Sequence, residues 1–166
     1  MHEALTRSPE VIGRFARLGI AIRIATPEAV LEPLSLGATV VVEPRFVPDV
    51  ILRAIVQHRV TFFAGVPSMY AVLAATPRPP GDYAAWRLCV SGGAPLPAAV
   101  LAAFERAHGI PIYEGYGPTE CAPVLTVNPP FGRRKIGSVG PPIPGVELRV
   151  VDDRDRDVPP GDVGEI

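Results

Sequence analysis

Residues 112–120 of this 166-residue sequence read IYEGYGPTE, an apolar run that ends in a loop with two glycines. Gly115 and Gly117 lack a Cβ, so the backbone can turn sharply there and a ligand can come close. Tyr116 lies between them and offers a flat face on which a planar ring can stack. A stacking ring beside two exposed backbone positions predicts a nucleotide site.

Thr119 and Glu120 complete this loop with a hydroxyl and a carboxylate. The hydroxyl can donate to a phosphoryl oxygen, and the carboxylate is a hard oxygen ligand suited to Mg²⁺. Two other kinds of nucleotide loop are excluded. A dinucleotide fingerprint needs a third glycine at position 120, where Glu120 stands. A Walker loop needs a lysine after its second glycine, and the only lysine of the sequence, Lys135, does not follow that pattern. The alternative is a Gly/Pro turn with incidental polar residues.

Apolar runs alternate with helical patterns along the middle of the chain. Continuous apolar, often β-branched runs predict four buried strands, at residues 38–43, 60–64, 86–90 and 110–113. Between them, apolar periodicity and start signals predict three helices, at residues 48–57, 67–75 and 97–107, the last capped by Gly109. This order predicts an α/β fold with a mostly parallel sheet and crossover helices.

Three turn-forming segments fall where predicted strands end: residues 65–67 (GVP), 91–93 (SGG) and 115–117 (GYG). Ligands of parallel sheets bind at the carboxyl ends of the strands. The sequence therefore predicts a single pocket built from three strand-end loops. After residue 130 the pattern changes, and residues 146–152 alternate as a half-exposed strand, which predicts the start of a smaller β-rich part.

Composition excludes several function classes. Hydrophobic residues make up 48% and charged residues 20% of the chain, as in ordinary globular proteins. The net charge of −1 gives no electrostatic case for nucleic acid. No apolar run reaches the ~20 residues of a membrane span, the first residues lack the pattern of a signal peptide, and two cysteines are too few for a disulfide framework. We expect a cytoplasmic location; the oligomeric state stays open.

Three segments together resemble the adenylate-forming (AMP-binding) enzymes, which include acyl-CoA synthetases, luciferases and peptide-synthetase adenylation domains. Residues 113–120 (YEGYGPTE) resemble their signature loop, residues 91–96 (SGGAPL) a second motif, and residues 135–145 (KIGSVGPPIPG) a third, in family order. The resemblance runs from about Val30 to Ile166 and is closest to acyl-CoA synthetases such as long-chain fatty acid–CoA ligases. It implies an internal fragment of the large N-terminal domain.

The resemblance also implies roles for the matched residues. Tyr116 would stack on adenine, Thr119 would hold the α-phosphate of ATP, and Glu120 would coordinate Mg²⁺, so that Thr119 and Glu120 are the implied catalytic residues. The other implied nucleotide contacts are Gly92, Gly93, Ala94 and Gly117. The implied contacts to the acyl group are Val66, Gly93 and Gly115.

The implied reaction has two steps. The carboxylate of a small-molecule acid, for which a fatty acid is our first expectation, attacks the α-phosphate of ATP to give acyl-AMP and pyrophosphate. The thiol of coenzyme A then displaces AMP. The implied division is an N-terminal segment of uncertain role (1–29), an α/β nucleotide- and acyl-binding subdomain (30–130), and the truncated start of a β-rich subdomain (131–166).

Two parts of the family pattern have no match in the sequence: the phosphate loop with its following aromatic–histidine segment, and the domain that carries the catalytic lysine. We therefore expect the 166-residue chain to bind nucleotide weakly and to adenylate nothing. A truncated relic that acts only as a nucleotide-binding or interaction module would carry the same motifs. An unrelated α/β nucleotide-binding domain is the third alternative.

Several other residues have ordinary structural interpretations. His58 and His108 lie near predicted helix ends, where an imidazole usually caps the helix or contacts solvent. Residues 133–135 (RRK) could meet phosphates, although such a cluster is more often a solvated loop. Residues 9–18 could form a short amphipathic helix.

Overall fold

The computed structural model describes residues 19–22, 33–121 and 124–166. Its helices are α1 (Pro48–Gln57), α2 (Pro67–Ala75) and α3 (Ala98–His108), and a short 3-10 helix spans Thr119–Cys121. Its strands are β1 (Gly19–Ile22), β2 (Thr39–Val42), β3 (Phe62–Gly65), β4 (Leu88–Ser91), β5 (Ile112–Tyr116) and β6 (Thr126–Val127). The helix predicted for residues 9–18 lies outside the described residues.

The six strands form one sheet in the order β2-β1-β3-β4-β5-β6. Every neighbouring pair is parallel except β5 and β6, which are antiparallel. The predicted α/β fold with a mostly parallel sheet is confirmed. Strand β1 was not predicted, and it lies between β2 and β3 in the sheet.

The helices begin and end where the sequence predicts. Pro48 and Pro67 occupy the first turns of α1 and α2, where the missing N–H of proline costs no helical hydrogen bond. At the end of α3, Gly109 has φ +68° and its N–H donates to the carbonyl of Glu105 at 2.7 Å. A left-handed residue closing the last turn is the usual role of glycine after a helix.

The first three predicted strands are shifted by one or two residues at their ends, and the last two differ more from the structure. The strand predicted for residues 110–113 forms later and continues through Tyr116, so Gly115 and Tyr116 are strand residues rather than loop residues. The strand predicted for residues 146–152 is reduced to isolated bridges of Val151 with Asp157 and Glu165. Pairing with β6 explains the first difference, since it gives the backbone of Gly115 and Tyr116 a neighbouring strand.

The hydrophobic core begins with a row of side chains across three strands. Phe63, Cys89 and Ile112 are register partners on β3, β4 and β5, and all three are fully buried. Tyr70, Trp86 and Phe104 are buried in the same cluster, with edge-to-face ring contacts at centroid distances of 5.1–6.3 Å. Such contacts add about 0.5–1.5 kcal/mol each beyond the area they bury.

Helix α2 buries Tyr70 rather than Val72. Tyr70 is fully buried, whereas Val72 is 45% exposed. The hydroxyl of Tyr70 donates to the carbonyl of Val90 at 2.7 Å, so the buried ring keeps a partner for its polar tip. This bond fixes the start of α2 beside the end of β4.

None of the described helices is long and apolar enough to cross a membrane.

Candidate functional site

The carboxyl ends of β3, β4 and β5 carry a second row of register partners, formed by Gly65, Ser91 and Glu114. These residues lie two positions after Phe63, Cys89 and Ile112. Side chains alternate along a strand, so positions two residues apart point to the same face. This second row therefore lies on the same face of the sheet as Phe63, Cys89 and Ile112. The core therefore continues directly into the strand ends where the candidate site was predicted.

The structure brings four of the predicted site residues together at these strand ends. The N–H of Gly92 donates to the carbonyl of Gly65 at 3.2 Å. A Cβ added at Gly93 would lie 3.6 Å from Val66, and one added at Gly92 would lie 3.8 Å from the carbonyl oxygen of Gly115. A Cβ at either position would make only an ordinary contact, but Gly93 has φ +78°, a backbone conformation that favours glycine.

A cleft of about 500 Å³ opens beside these contacts. Its lining comes from all three motif segments: Gly93, Ala94, Pro95 and Leu96; Glu114, Gly115, Tyr116, Gly117 and Pro118; and Gly137 and Val139. Tyr116 is 40% exposed, so its ring is open to a ligand rather than packed in the core. Five predicted residues line the cleft, namely Gly93, Ala94, Gly115, Tyr116 and Gly117, whereas Val66 and Gly92 lie behind this lining.

Thr119 and Glu120 do not line the cleft. They lie on the short 3-10 helix just beyond it, and both are exposed. Among the residues that the structure describes, no group of three or more His, Cys, Asp or Glu side chains could hold a metal ion. Glu120 thus offers a single carboxylate outside any such group of described residues.

Glu114 fixes one wall of the cleft, and sequence reasoning gave it no role. Its side chain is buried, with 8% of the residue exposed, and its Oε1 accepts a hydrogen bond from the N–H of Leu96 at 2.7 Å. A carboxylate that accepts from a backbone N–H makes a stronger hydrogen bond than a neutral acceptor. This bond holds the loop of residues 91–96 against β5, and with it the cleft residues Gly93 and Ala94.

Asn128 joins a second wall to β5. Its backbone N–H and Nδ2 both donate to the carbonyl of Glu114, at 2.9 and 3.1 Å. Its Nδ2 also donates to the carbonyl of Ser138, and its Oδ1 accepts from the N–H of Lys135 at 2.9 Å. The segment that contains Gly137 is therefore tied to the strand that contains Tyr116.

Of the basic cluster at residues 133–135, Arg134 has a structural role. Its guanidinium forms an ion pair with Glu105 and donates to the carbonyl of Ile112 at 2.7 Å. Burial alone would raise the pKa of Glu105, but hydrogen bonds from Arg134 and from the N–H of Ile112 lower it overall. Arg134 is thus engaged on α3 and β5, whereas Arg133 and Lys135 are exposed.

His58 and His108 do not line the cleft. Of the two environments expected near a helix end, capping or solvent contact, His58 has the solvent contact, whereas His108 is only 5% exposed and does not. Its Nδ1 accepts from Nε of Arg78, and its Nε2 lies 2.9 Å from the carbonyl of Leu73. This arrangement requires the neutral ring with its proton on Nε2, and desolvation of the ring lowers the pKa of His108.

Comparisons with known proteins give one consistent group. A family model described as AMP-binding enzyme matches residues 26–166. The chain is 41% identical over 138 residues to a feruloyl-CoA synthase of Amycolatopsis sp, covering 82% of the chain and 28% of that protein. It is 38% identical over 135 residues to an indoleacetate–CoA ligase of Aromatoleum aromaticum, covering 80% and 26%. It is 34% identical over 127 residues to a long-chain-fatty-acid–CoA ligase of Escherichia coli, covering 76% and 22%.

Solved structures agree with the sequence relatives. The chain resembles an anthranilate CoA ligase in complex with anthranoyl-AMP, with a TM-score of 0.75, 30% identity, and coverage of 89% of this chain and 30% of that one. It resembles ATP-bound MatB from Rhodopseudomonas palustris with a TM-score of 0.74, 35% identity, and coverage of 91% and 31%. The chain thus spans less than a third of the length of these relatives.

Proposed function

Because the chain belongs to the AMP-binding enzyme family, we propose that it forms the nucleotide- and acyl-binding part of an ATP-dependent acid–CoA ligase. Such an enzyme transfers the AMP part of ATP to a carboxylic acid with release of pyrophosphate, and the thiol of coenzyme A then takes the acyl group with release of AMP. The observation that carries the proposal is the cleft, since residues of all three motifs line it. The division at residues 130 and 131 remains part of the proposal.

In this proposal the adenine ring enters the cleft against the exposed face of Tyr116. Gly93 and Ala94 stand on the opposite motif segment, where small side chains leave room for a planar ring. The backbone next to them is held by the bond between Glu114 and Leu96. A ligand that meets a preformed wall loses less free energy to ordering the protein than one that must assemble it.

Thr119 and Glu120 follow Tyr116 closely enough to meet the phosphates of the same nucleotide. Mg²⁺ in nucleotide sites is held by one or two carboxylates together with substrate phosphates. An exposed carboxylate that forms no ion pair with any described residue, as at Glu120, fits that donor set. When bound, the ion would neutralise charge on the phosphates. The Thr119 hydroxyl would orient the α-phosphate for in-line attack by the acid.

For the acid, we propose that the acyl group lies where Val66, Gly93 and Gly115 converge. This group is apolar and offers no charged side chain to pair with a second carboxylate. The relatives are named for feruloyl, indoleacetate and long-chain fatty acid substrates, which supports a carboxylic acid with an apolar body. A fatty acid remains our first expectation, with aromatic acids as its competitors in the assay below.

Binding of AMP to the purified 166-residue chain, measured by calorimetry, tests the nucleotide site. We expect weak binding that Tyr116→Ala reduces by about tenfold, since loss of one base–aromatic stack costs ~1–3 kcal/mol. Tyr116→Phe keeps the ring and should bind within about threefold of the parent. Phe131→Ala is the matched control, because it removes an exposed ring that does not line the cleft. Equal affinity of the parent and Tyr116→Ala would contradict adenine stacking.

Acid-dependent ATP–pyrophosphate exchange tests the reaction. We expect none from the 166-residue chain, and exchange from a chimera in which residues 30–166 replace the matching segment of the Amycolatopsis feruloyl-CoA synthase. A panel of ferulate, indoleacetate and fatty acids then assigns the substrate class. A chimera that binds ATP but exchanges with no acid would favour the non-catalytic module over the ligase.

A further inference from the structure

Asn128 is the sequence's only asparagine, and it is 2% exposed at a point where three backbone segments meet. It directly follows β6, and its backbone N–H donates to the carbonyl of Glu114 on β5. Its side chain reaches the carbonyls of Glu114 and Ser138 and the N–H of Lys135. Asn128 does not line the cleft, yet all its partners lie within two residues of cleft-lining residues.

We propose that Asn128 is the positioning residue that sets the wall formed by Gly137 and Val139 against Tyr116. This inference rests on the proposed function, because it assigns the wall to a bound nucleotide. Asn128 would act through backbone hydrogen bonds and touch no substrate.

The surroundings of the side chain require a carboxamide. Two carbonyl oxygens face Nδ2 and one N–H faces Oδ1. Only a group with two donor hydrogens and an acceptor can satisfy all three partners. A carboxylate of the same shape would still accept from Lys135, but it would turn lone pairs toward two carbonyl oxygens.

The far end of the wall is held backbone against backbone. Gly140 has φ +85°, and a Cβ added there would lie 2.3 Å from backbone atoms of Val127 and Asn128. A backbone hydrogen bond from the N–H of Val127 also joins the residue after Gly140 to β6. Asn128 adds side-chain bonds at Lys135 and Ser138, at the near end of the wall.

Two variants and one control test the proposal in the 166-residue chain. Asn128→Asp keeps the shape and the acceptor but loses both donor bonds, and Asn128→Ala loses all three. Ile55→Val is the control, because it shortens a buried side chain of α1 that does not line the cleft. AMP affinity is measured at a temperature at which circular dichroism shows each chain folded.

We expect both Asn128 variants to bind AMP about tenfold more weakly, the factor that one hydrogen bond of ~1.4 kcal/mol would produce, while Ile55→Val binds like the parent. Parent-like affinity of Asn128→Asp would overturn the proposal, because shape alone would then suffice. An equal loss in Ile55→Val would also overturn it, because the loss would reflect general destabilisation.

Amide hydrogen exchange supplies a readout that needs no nucleotide. The Lys135 N–H should exchange faster in Asn128→Ala but stay protected in Asn128→Asp, and the hydrogen-bonded amides of Ser138 and Gly140 should exchange faster in both. If the parent binds no AMP, the proposed function fails for this chain, and the exchange pattern still decides the positioning role. Unchanged exchange at Ser138 and Gly140 in both variants would overturn it.

Discussion

Three buried polar side chains at the edges of the core each hold a specific backbone group. Glu114 accepts from Leu96, Asn128 bridges three segments, and His108 joins α3 to the loop after α2. A buried polar group left without a partner costs about 1–3 kcal/mol, so each of these residues is tolerated only in its present surroundings. The three residues therefore specify how loops attach to the sheet, while the aromatic cluster supplies the bulk of the apolar burial.

At His108 this dependence should appear as a pH effect on stability. Burial lowers the pKa of His108 below its ordinary value of 6.5, and Arg78 lowers it further, although the carbonyl of Leu73 opposes the shift. Between the folded and unfolded pKa values the unfolded chain binds more protons, so the free energy of unfolding must fall as the pH drops below about 6.5. The loss levels off once the pH is below the folded pKa.

Thermal unfolding between pH 8 and pH 5.5 measures this effect. We expect the melting temperature of the parent to fall toward pH 5.5, and His108→Gln to show a flatter profile. His58→Gln is the control, because His58 is exposed and its loss should leave the parent's slope intact. A parent-like slope in His108→Gln would assign the pH dependence to other groups.

At the scale of elements, the sequence predicted best what local chemistry determines. Proline at a first turn and glycine after a last turn act within one helix, and the helix bounds followed them closely. A strand depends on the strands that pair with it, and the local sequence pattern does not show which strands these are. Strand β1 has four residues and gave no periodic signal, β5 extends because β6 pairs with it, and residues 146–152 lack a continuous partner among the described residues.

The residues of the candidate site likewise fall into those that the sequence predicted and those that it did not. Glycines and the tyrosine were predictable because their special backbone freedom or flat ring is visible in the motif. Glu114 and Asn128 were missed because their partners are backbone atoms far along the chain, which no spacing rule reveals. The one available signal was a carboxylate and a carboxamide placed among apolar neighbours.

The end of α3 gives a prediction at this scale. Gly109 has φ +68°, and no atom lies within 4 Å of an added Cβ. Gly109→Ala should therefore lower the free energy of unfolding by about 1–2 kcal/mol through backbone strain alone. Gly109→Asn should lose less, because asparagine tolerates this conformation better. Urea unfolding measures both, and an alanine variant as stable as the parent would show that the cap relaxes.

Across the whole molecule, backbone hydrogen bonds of Pro141 and Ile143 and several side-chain contacts hold the stretch after residue 130 to the α/β layer, and two of these side-chain contacts lie near the cleft wall. One is Asn128, and the other is Arg134, which joins Glu105 of α3 and the first residue of β5, Ile112. Arg134 also lies over the ring of Tyr113, with 5.6 Å from Cζ to the ring centroid. The cleft wall at Gly137 lies between residues that these contacts fix and the turn at Gly140.

Loss of the Arg134 contact should both loosen this wall and destabilise the fold. Both partners are about three-quarters buried, at 23% and 26% side-chain exposure, and a hydrogen bond to a charged group contributes ~1.5–3 kcal/mol. We expect Arg134→Ala to lower the free energy of unfolding by about 1–2 kcal/mol after allowance for the remaining exposure. Arg134→Lys should recover only part of this, because an ammonium cannot make the paired contact to both carboxylate oxygens of Glu105.

Arg156→Ala provides the matched control, since Arg156 forms a comparable pair with Asp152 on an exposed turn. Exposed pairs contribute at most about 1 kcal/mol, so this variant should unfold like the parent. Limited proteolysis then separates a local from a global effect: Arg134→Ala should be cut within residues 129–140 under conditions in which the parent and Arg156→Ala resist. If Arg134→Ala lost stability but gained no cleavage there, Arg134 would serve the core alone and Asn128 would hold the wall by itself.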